Sequence, residues 1–247
     1  MDSTFIALMI CFFIIAILYS SVGHAGASGY LATMAIFGIA PLVMRPTALA
    51  LNILVSSIVT IRFAKAGLIK WKTLIPLIIT SIPLAFIGGT ILLPDNLYKP
   101  ILGLVLIFAS FRLFQTAKTN SVNVDFLKNI STPISLLIGG ILGLLSGLTG
   151  TGGGIFLTPL LIIFGIAGAR TAGGLSAAFI LVNSISGLLG NYSSVQNLPQ
   201  NLLFLLIAVA IGGFIGSGLG IKKLGHPTLK KILGVVLIIA SFKLMFL

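Results

Sequence analysis

ILGLVLIFASFRL at residues 101–113 returns as ILGVVLIIASFKL at 232–244, and IFGIA at 36–40 returns at 163–167. A single match between apolar stretches is commonplace, but two in the same order mark an internal duplication. Working outward from them, apolar segments run over about 5–22, 29–43, 46–63, 73–93 and 99–114, and again over 130–148, 153–168, 172–190, 201–221 and 229–246. The long polar stretch QTAKTNSVNVDFLKN at 115–129 separates the two sets. The chain therefore divides into a first repeat at 1–114, a cytoplasmic linker at 115–129 and a second repeat at 130–247.

The solvent for these segments is lipid. Hydrophobic residues make up 57% of the chain and charged residues 7%, with a mean hydropathy of +1.21, a balance that leaves a water-soluble domain without a polar surface. Runs near twenty residues match the roughly 30 Å of a bilayer's hydrocarbon core. The expected fold is an all-α polytopic membrane protein of two repeats with about five segments each. The second segment of each half, near fifteen residues, is short for a crossing, so the reading allows 8–10 transmembrane segments with re-entrant hairpins among them. The first segment follows Asp2 and no basic residue, which favours a retained helix over a cleaved signal.

An odd number of crossings per unit turns the second copy upside down, and the loop charges agree. The connection after the third segment carries Arg62, Lys65, Lys70 and Lys72, while its counterpart NYSSVQNLPQN at 191–201 carries no charge. After the fourth segment the bias reverses: Asp95 and Lys99 mark the first half, Lys222, Lys223, Lys230 and Lys231 the second. With the basic loops in the cytoplasm, Arg112, Lys118, Lys128 and Arg170 also fall inside, and Arg45, Lys99 and Lys243 fall outside. Both termini then face out, and the two repeats are inverted, the architecture of secondary transporters.

The net charge of +12 would suggest nucleic acid in a soluble protein, but these cations sit between apolar runs, so a lipid bilayer and no nucleic acid is expected as partner. Asp2, Asp95 and Asp125 are the acids, none of them within an apolar run, and Cys11 is the one cysteine. With two histidines these residues assemble neither a metal site nor an activated nucleophile, and GxSxG, HExxH and Walker A patterns are absent. No enzyme activity, metal or cofactor is expected.

The strongest local signals are SVGHAGASGY at 21–30 and GLTGTGGGIF at 147–156, at equivalent places in the two halves. Glycine lets backbone N–H groups approach a ligand, and a helix starting just afterward adds the positive end of its dipole. Together they form a cradle for an anion without a fixed charge. Carriers of cations place carboxylates near the membrane midplane, so the expected partner here is a small anionic substrate. Candidate substrate-binding residues are Gly23, His24, Gly26 and Gly29 in the first cluster and Thr149, Gly150, Thr151, Gly152, Gly153 and Gly154 in the second. Asn52 and Ser56 in the third segment, Asn183 and Ser184 in the eighth, and Arg170 complete the set. Arg45, after FGIA like Arg170, is the candidate for drawing an anion to the pore mouth in bidentate fashion. His24 can pair with an anion or relay a proton, whereas Trp71, Tyr98 and Tyr192 read as interfacial belt residues.

The run GLTGTGGGIFLTPLL, its counterpart VGHAGASGYLATM, the recurring FGIA followed by an Arg and a small-residue helix, and the length of 247 residues make the chain resemble the sulfite exporter TauE/SafE family, also called the toluene sulfonate uptake permease family. The resemblance covers essentially the whole chain. It implies a multi-pass carrier in a bacterial or archaeal inner membrane that moves sulfite, sulfonates or other organic anions. The expected activity is thus secondary transport of a small anion by alternating access between inverted repeats. An anion channel, or a generic metabolite exporter with another ten-helix inverted-repeat fold, stays open as an alternative. The coupling ion, a proton or another, and assembly into a homo-oligomer stay open as well.

Overall fold

The computed structural model describes residues 3–118, 130–222 and 227–246. Of the expected linker at 115–129, residues 119–129 lie outside them, as do Asp2 and Asp125. Among the described residues there is no strand. The first half holds α1 (Ser3–Ser20), α2 (Ala27–Ile36), α3 (Pro41–Lys65), α4 (Trp71–Thr90) and α5 (Asp95–Lys118). The second holds α6 (Thr132–Thr149), α7 (Gly154–Ile163), α8 (Ala169–Gly190), α9 (Leu202–Lys222) and α10 (Pro227–Phe246), with a 3-10 turn at Tyr192–Asn197 between α8 and α9. The fold is the expected all-α polytopic membrane protein, and seven of its described helices are long and apolar enough to cross a membrane.

The lengths follow local chemistry. Helices α2 and α7 have 10 residues each, which at 1.5 Å per residue spans about 15 Å, half of a bilayer's hydrocarbon core. They stop earlier than the apolar runs 29–43 and 153–168 predict, because Gly38 and Gly165 take the left-handed conformation (φ 74° and 59°) just past Ile36 and Ile163. A proline in the first turn then starts α3 at Pro41, where its missing N–H costs nothing.

Small residues decide which helices meet. Gly139, Gly143 and Gly147 of α6 lie against the backbone of Leu77, Ser81 and Ala85 of α4, and Gly212, Gly216 and Gly220 of α9 lie against Phe13 and Ile17 of α1 and Ser21 just past its end. A glycine every fourth residue leaves one face of the helix without side chains, so two backbones approach within van der Waals contact. In both pairs the numbers rise together, so the helices are parallel. The α4–α6 pair is the counterpart of α9–α1.

Counterparts that touch run antiparallel. Leu49 of α3 lies at Gly187 of α8 while Asn52 reaches Ser184. The Ser241 hydroxyl of α10 donates to the Gly103 carbonyl of α5 (2.8 Å), and Ser110 donates to Gly234 (2.8 Å). The halves are therefore inverted relative to one another. At one end of the bundle the basic connection after α3 meets the start of α8, with Leu68 against Gly174, and Arg62 lies against Gly218 of α9. The opposite end gathers the charge-poor ones, where Arg45 bonds to the end of α4 and the backbone of Asn191 lies beside Gly89.

Helices α3 and α8 form the centre. Half to three quarters of each is buried, while Phe111, Leu137, Leu203 and Phe214 stand exposed on outer helices as a lipid-facing surface requires. One belt assignment needs correction: Trp71 and Tyr192 are exposed, but Tyr98 is buried and its hydroxyl donates to the Thr149 carbonyl (3.1 Å). The first turn of α5 faces the end of α6, so this ring is enclosed by protein.

Candidate functional site

The two glycine clusters form one backbone shape used twice. A shift of 127 positions carries Ala27–Ile36 onto Gly154–Ile163, and the turns before these helices match as well. Gly23 and Gly150 are left-handed (φ 84° and 79°), as are Gly26 and Gly153 (φ 110° and 77°). Residues with a Cβ pay about 1–2 kcal/mol for that conformation, which is why both copies keep glycine there. The shift pairs His24 with Thr151 and Ala25 with Gly152, so the copies differ in side chain and agree in backbone path. Gly152 is left-handed too (φ 77°).

Both turns end inside the bundle. Gly23 packs on Gly173, one turn into α8, and Gly150 packs on Arg45, one turn into α3. The tips meet near the middle of the central pair, where the His24 Nε2 lies 3.1 Å from the carbonyl of Gly154, the first residue of α7. The Nδ1 atom of the same ring lies 3.3 Å from the Val22 carbonyl. The positive ends of α2 and α7 thus face one small region. Among the described residues, the N–H groups of residues 25–29 and 151–155 find no backbone acceptor, whereas Tyr30 and Leu157 bond back to Gly26 and Gly153. These are the orphan donors of a helix start, held away from water.

Side chains of α3 and α8 close around the second tip. Asn52, fully buried, directs its Nδ2 toward the Thr151 carbonyl and the Ser184 hydroxyl, both at 3.4 Å, while its Oδ1 has no partner. Asn183 donates to the Phe179 carbonyl (2.8 Å) and likewise leaves Oδ1 unpaired. The buried Ser146 hydroxyl beside Gly153 has no partner. Ser56 donates to Asn52 in its own helix, and Thr149 donates to Leu145 (2.7 Å) and lies 2.9 Å from the Thr151 hydroxyl. An unmatched buried polar atom costs about 1–3 kcal/mol, and two such atoms, Asn52 Oδ1 and the Ser146 hydroxyl, belong to residues that touch this one glycine turn. A methyl group at Gly152 would press on Asn52 Nδ2 and Ser184 Oγ, so these side chains and the Gly152 backbone share one small space.

Some expected residues lie elsewhere. A Cβ on Gly29 would strike Ile15 and Tyr19, so this glycine serves the packing of α2 on α1. Gly154 packs on Ile180 and contributes its carbonyl to His24. Arg45 and Arg170 are not equivalent: Arg45 is the fifth residue of α3 and Arg170 the second of α8, because Arg45 follows its FGIA by five residues and Arg170 by three, and α8 also begins one residue farther from its FGIA than α3 does. Arg170 is half-buried. Arg45 is only 4% exposed and spends both terminal nitrogens on the carbonyls of Gly88 (2.6 Å), Gly89 (2.8 Å) and Ile91 (2.8 Å) at the end of α4. A bidentate grip on a solute is therefore not available to it; the negative end of the α4 dipole holds the guanidinium instead. Tyr98, expected in the interfacial belt, lies instead beside Arg45, together with Asn191 and Ser194, which the sequence did not single out, since nothing local marks a loop asparagine as buried.

The sequence model of the family described as Sulfite exporter TauE/SafE matches residues 8–244. A protein of Sinorhizobium fredii described as a "Probable membrane transporter protein" is 39% identical over 247 residues, covering 100% of both chains. Another of the same description from Methanocaldococcus jannaschii is 28% identical over 179 residues, 69% of this chain and 66% of that one. No solved structure matches the chain.

Proposed function

The chain belongs to the sulfite exporter TauE/SafE family of membrane transporters, and we propose that it carries a small anion, of the sulfite or sulfonate class, across a prokaryotic inner membrane by alternating access. The observation that carries this reading is the meeting of two inverted glycine turns at the centre of the α3–α8 pair. There, unbonded backbone N–H groups adjoin the buried side chains of Asn52, Ser146 and Ser184.

The chemistry favours a negative guest. Both helix starts present partial positive charge in a low-dielectric interior, where a dipole acts over a distance that water would screen. Asp95, at the start of α5, is the sole acid among the described residues, and it lies at an end of the bundle. An anion at the Gly152 turn would accept hydrogen bonds from backbone amides, the Asn52 amide and the Ser184 hydroxyl. A sulfur oxyanion offers several acceptor oxygens within the radius of one such turn.

The inverted pairing supports a carrier mechanism. The two repeats, at about 1–114 and 130–247, supply equivalent helix pairs, α1–α9 and α6–α4, whose glycine faces allow sliding without side-chain interlocking. Exchange between the two packings would expose the central turns to one side and then the other.

The test is counterflow of ³⁵S-labelled sulfite and of methanesulfonate into proteoliposomes loaded with the unlabelled anion. Saturable exchange that is lost in Gly152→Val and retained in Lys70→Gln supports the reading. Unitary currents without counterflow would replace the carrier by a channel, and unchanged exchange in Gly152→Val would remove the glycine turn as the site.

A further inference from the structure

We propose a second anion site, separate from the central turns, at the charge-poor end of the bundle between the start of α3, the start of α5 and the turn after α8. It rests on the reading of the substrate as a small oxyanion and adds a place where that anion waits before reaching the centre.

The observation is a cavity of about 60 Å³ lined by Arg45, Asp95, Tyr98, Asn191 and Ser194, with apolar residues of α3 and of the α4–α5 connection around them. That volume holds a few waters or one sulfur oxyanion. Asn191 is only 1% exposed, and neither its Nδ2 nor its Oδ1 has a hydrogen-bond partner. Arg45 is 4% exposed; its terminal nitrogens are occupied by α4 carbonyls, but its Nε is unpaired. Two residues that line one concavity thus carry three buried polar atoms without partners, a cost that a polar guest drawn in beside them would offset.

The atoms specify the guest. Arg45 Nε–H and Asn191 Nδ2–H donate, and the hydrogen bonds of the other Arg45 nitrogens go to backbone carbonyls and not to a carboxylate. These donors suit an oxyanion. Asn191 Oδ1 accepts, which suits a hydroxyl, so hydrogensulfite or another singly protonated oxyanion matches all three atoms. Asp95, exposed at the rim, disfavours fully charged dianions and so selects for the singly charged form.

The place fits a waiting position. Asn191 is held by the end of α8, its backbone N–H bonding to Gly187 (2.9 Å) and its carbonyl accepting from the Ser194 N–H (2.9 Å). Tyr98 bridges from this cavity to the Thr149 carbonyl, and the Arg45 side chain lies against Gly150. The cavity therefore abuts the second glycine turn from the outer end, with one ring and one guanidinium stem between the two sites.

The experiment is equilibrium binding of ³⁵S-labelled sulfite to the full-length protein in nanodiscs, with Asn191→Asp, Asn191→Leu and Gly152→Val, each checked for an intact thermal transition. Two classes of site are expected in the unaltered protein. Asn191→Asp, which adds a negative charge, and Asn191→Leu, which removes both amide atoms, should each weaken one class at least tenfold and leave the other unchanged. Gly152→Val should do the converse. A single class that is lost in Gly152→Val and untouched by either Asn191 variant overturns the outer site and leaves the central one standing. A single class sensitive only to Asn191 upholds the outer site and removes the central one, and absence of sulfite binding overturns both.

Discussion

Arg45 shows how a residue chosen for attracting solute can serve the scaffold first. Its guanidinium ties the second turn of α3 to three carbonyls at the end of α4, groups a helix terminus cannot satisfy by itself. Hydrogen bonds to a charged donor contribute about 1.5–3 kcal/mol each. Arg45→Met should therefore lower stability by roughly 3 kcal/mol or more, with Arg45→Lys recovering part of it, as thermal unfolding in detergent would measure. An unchanged midpoint in Arg45→Met would contradict the assigned role. At the second tip, Gly152→Ala should cost about 1–2 kcal/mol for its left-handed backbone and weaken anion binding by more than tenfold, because the added methyl enters the space between Asn52 and Ser184. Retained affinity in a folded Gly152→Ala would show that the guest sits elsewhere.

Helix pairs carry the next level. The stripes Gly139, Gly143, Gly147 and Gly212, Gly216, Gly220 hold α6 on α4 and α9 on α1 by backbone contact, in a solvent where burial of apolar side chains supplies no drive for association. A side chain in the middle of a stripe has nowhere to go, since the atoms it would meet are carbonyls and Cα atoms. Gly143→Leu and Gly216→Leu are expected to abolish the monodisperse folded protein in size-exclusion chromatography, while Leu137→Ala, on an exposed face of α6, leaves it intact. Folding of both glycine variants at wild-type yield would mean that these pairs are held by other contacts. The stripes were present in the sequence as glycines spaced by four, yet composition alone attributes such glycines equally to flexibility and to packing.

For the whole molecule, the inverted arrangement predicts sidedness. Residues 62–72 lie at the end of the bundle that receives the start of α8, and residues 191–198 lie at the opposite end. In a Cys11→Ser background, Lys70→Cys and Ser193→Cys, both at exposed positions, should react with a membrane-impermeant thiol reagent from opposite sides of sealed vesicles. Labelling of both from one side would break the antiparallel relation of the halves and with it the alternating-access proposal. The same inversion explains why the positive-inside bias switches between equivalent loops: one backbone unit is read from either face of the membrane, and the charges mark the face.

The sequence by itself determined the membrane solvent, the ten segments, the duplication and the inversion, because these depend on hydropathy, repeat spacing and loop charge, which are properties of the chain in order. It also located the glycine turns, since backbone conformations open only to glycine leave their mark as glycine. What only the tertiary structure decided is which polar groups share a space. Asn52 meets Thr151 and Ser184 across gaps of about a hundred residues, Tyr98 turns inward to Thr149, and Arg45 is committed to the end of α4 while a buried Asn191 stands beside it. Such meetings arise where helices from opposite repeats pack, and no local period or propensity encodes the distance between residues that far apart in the chain.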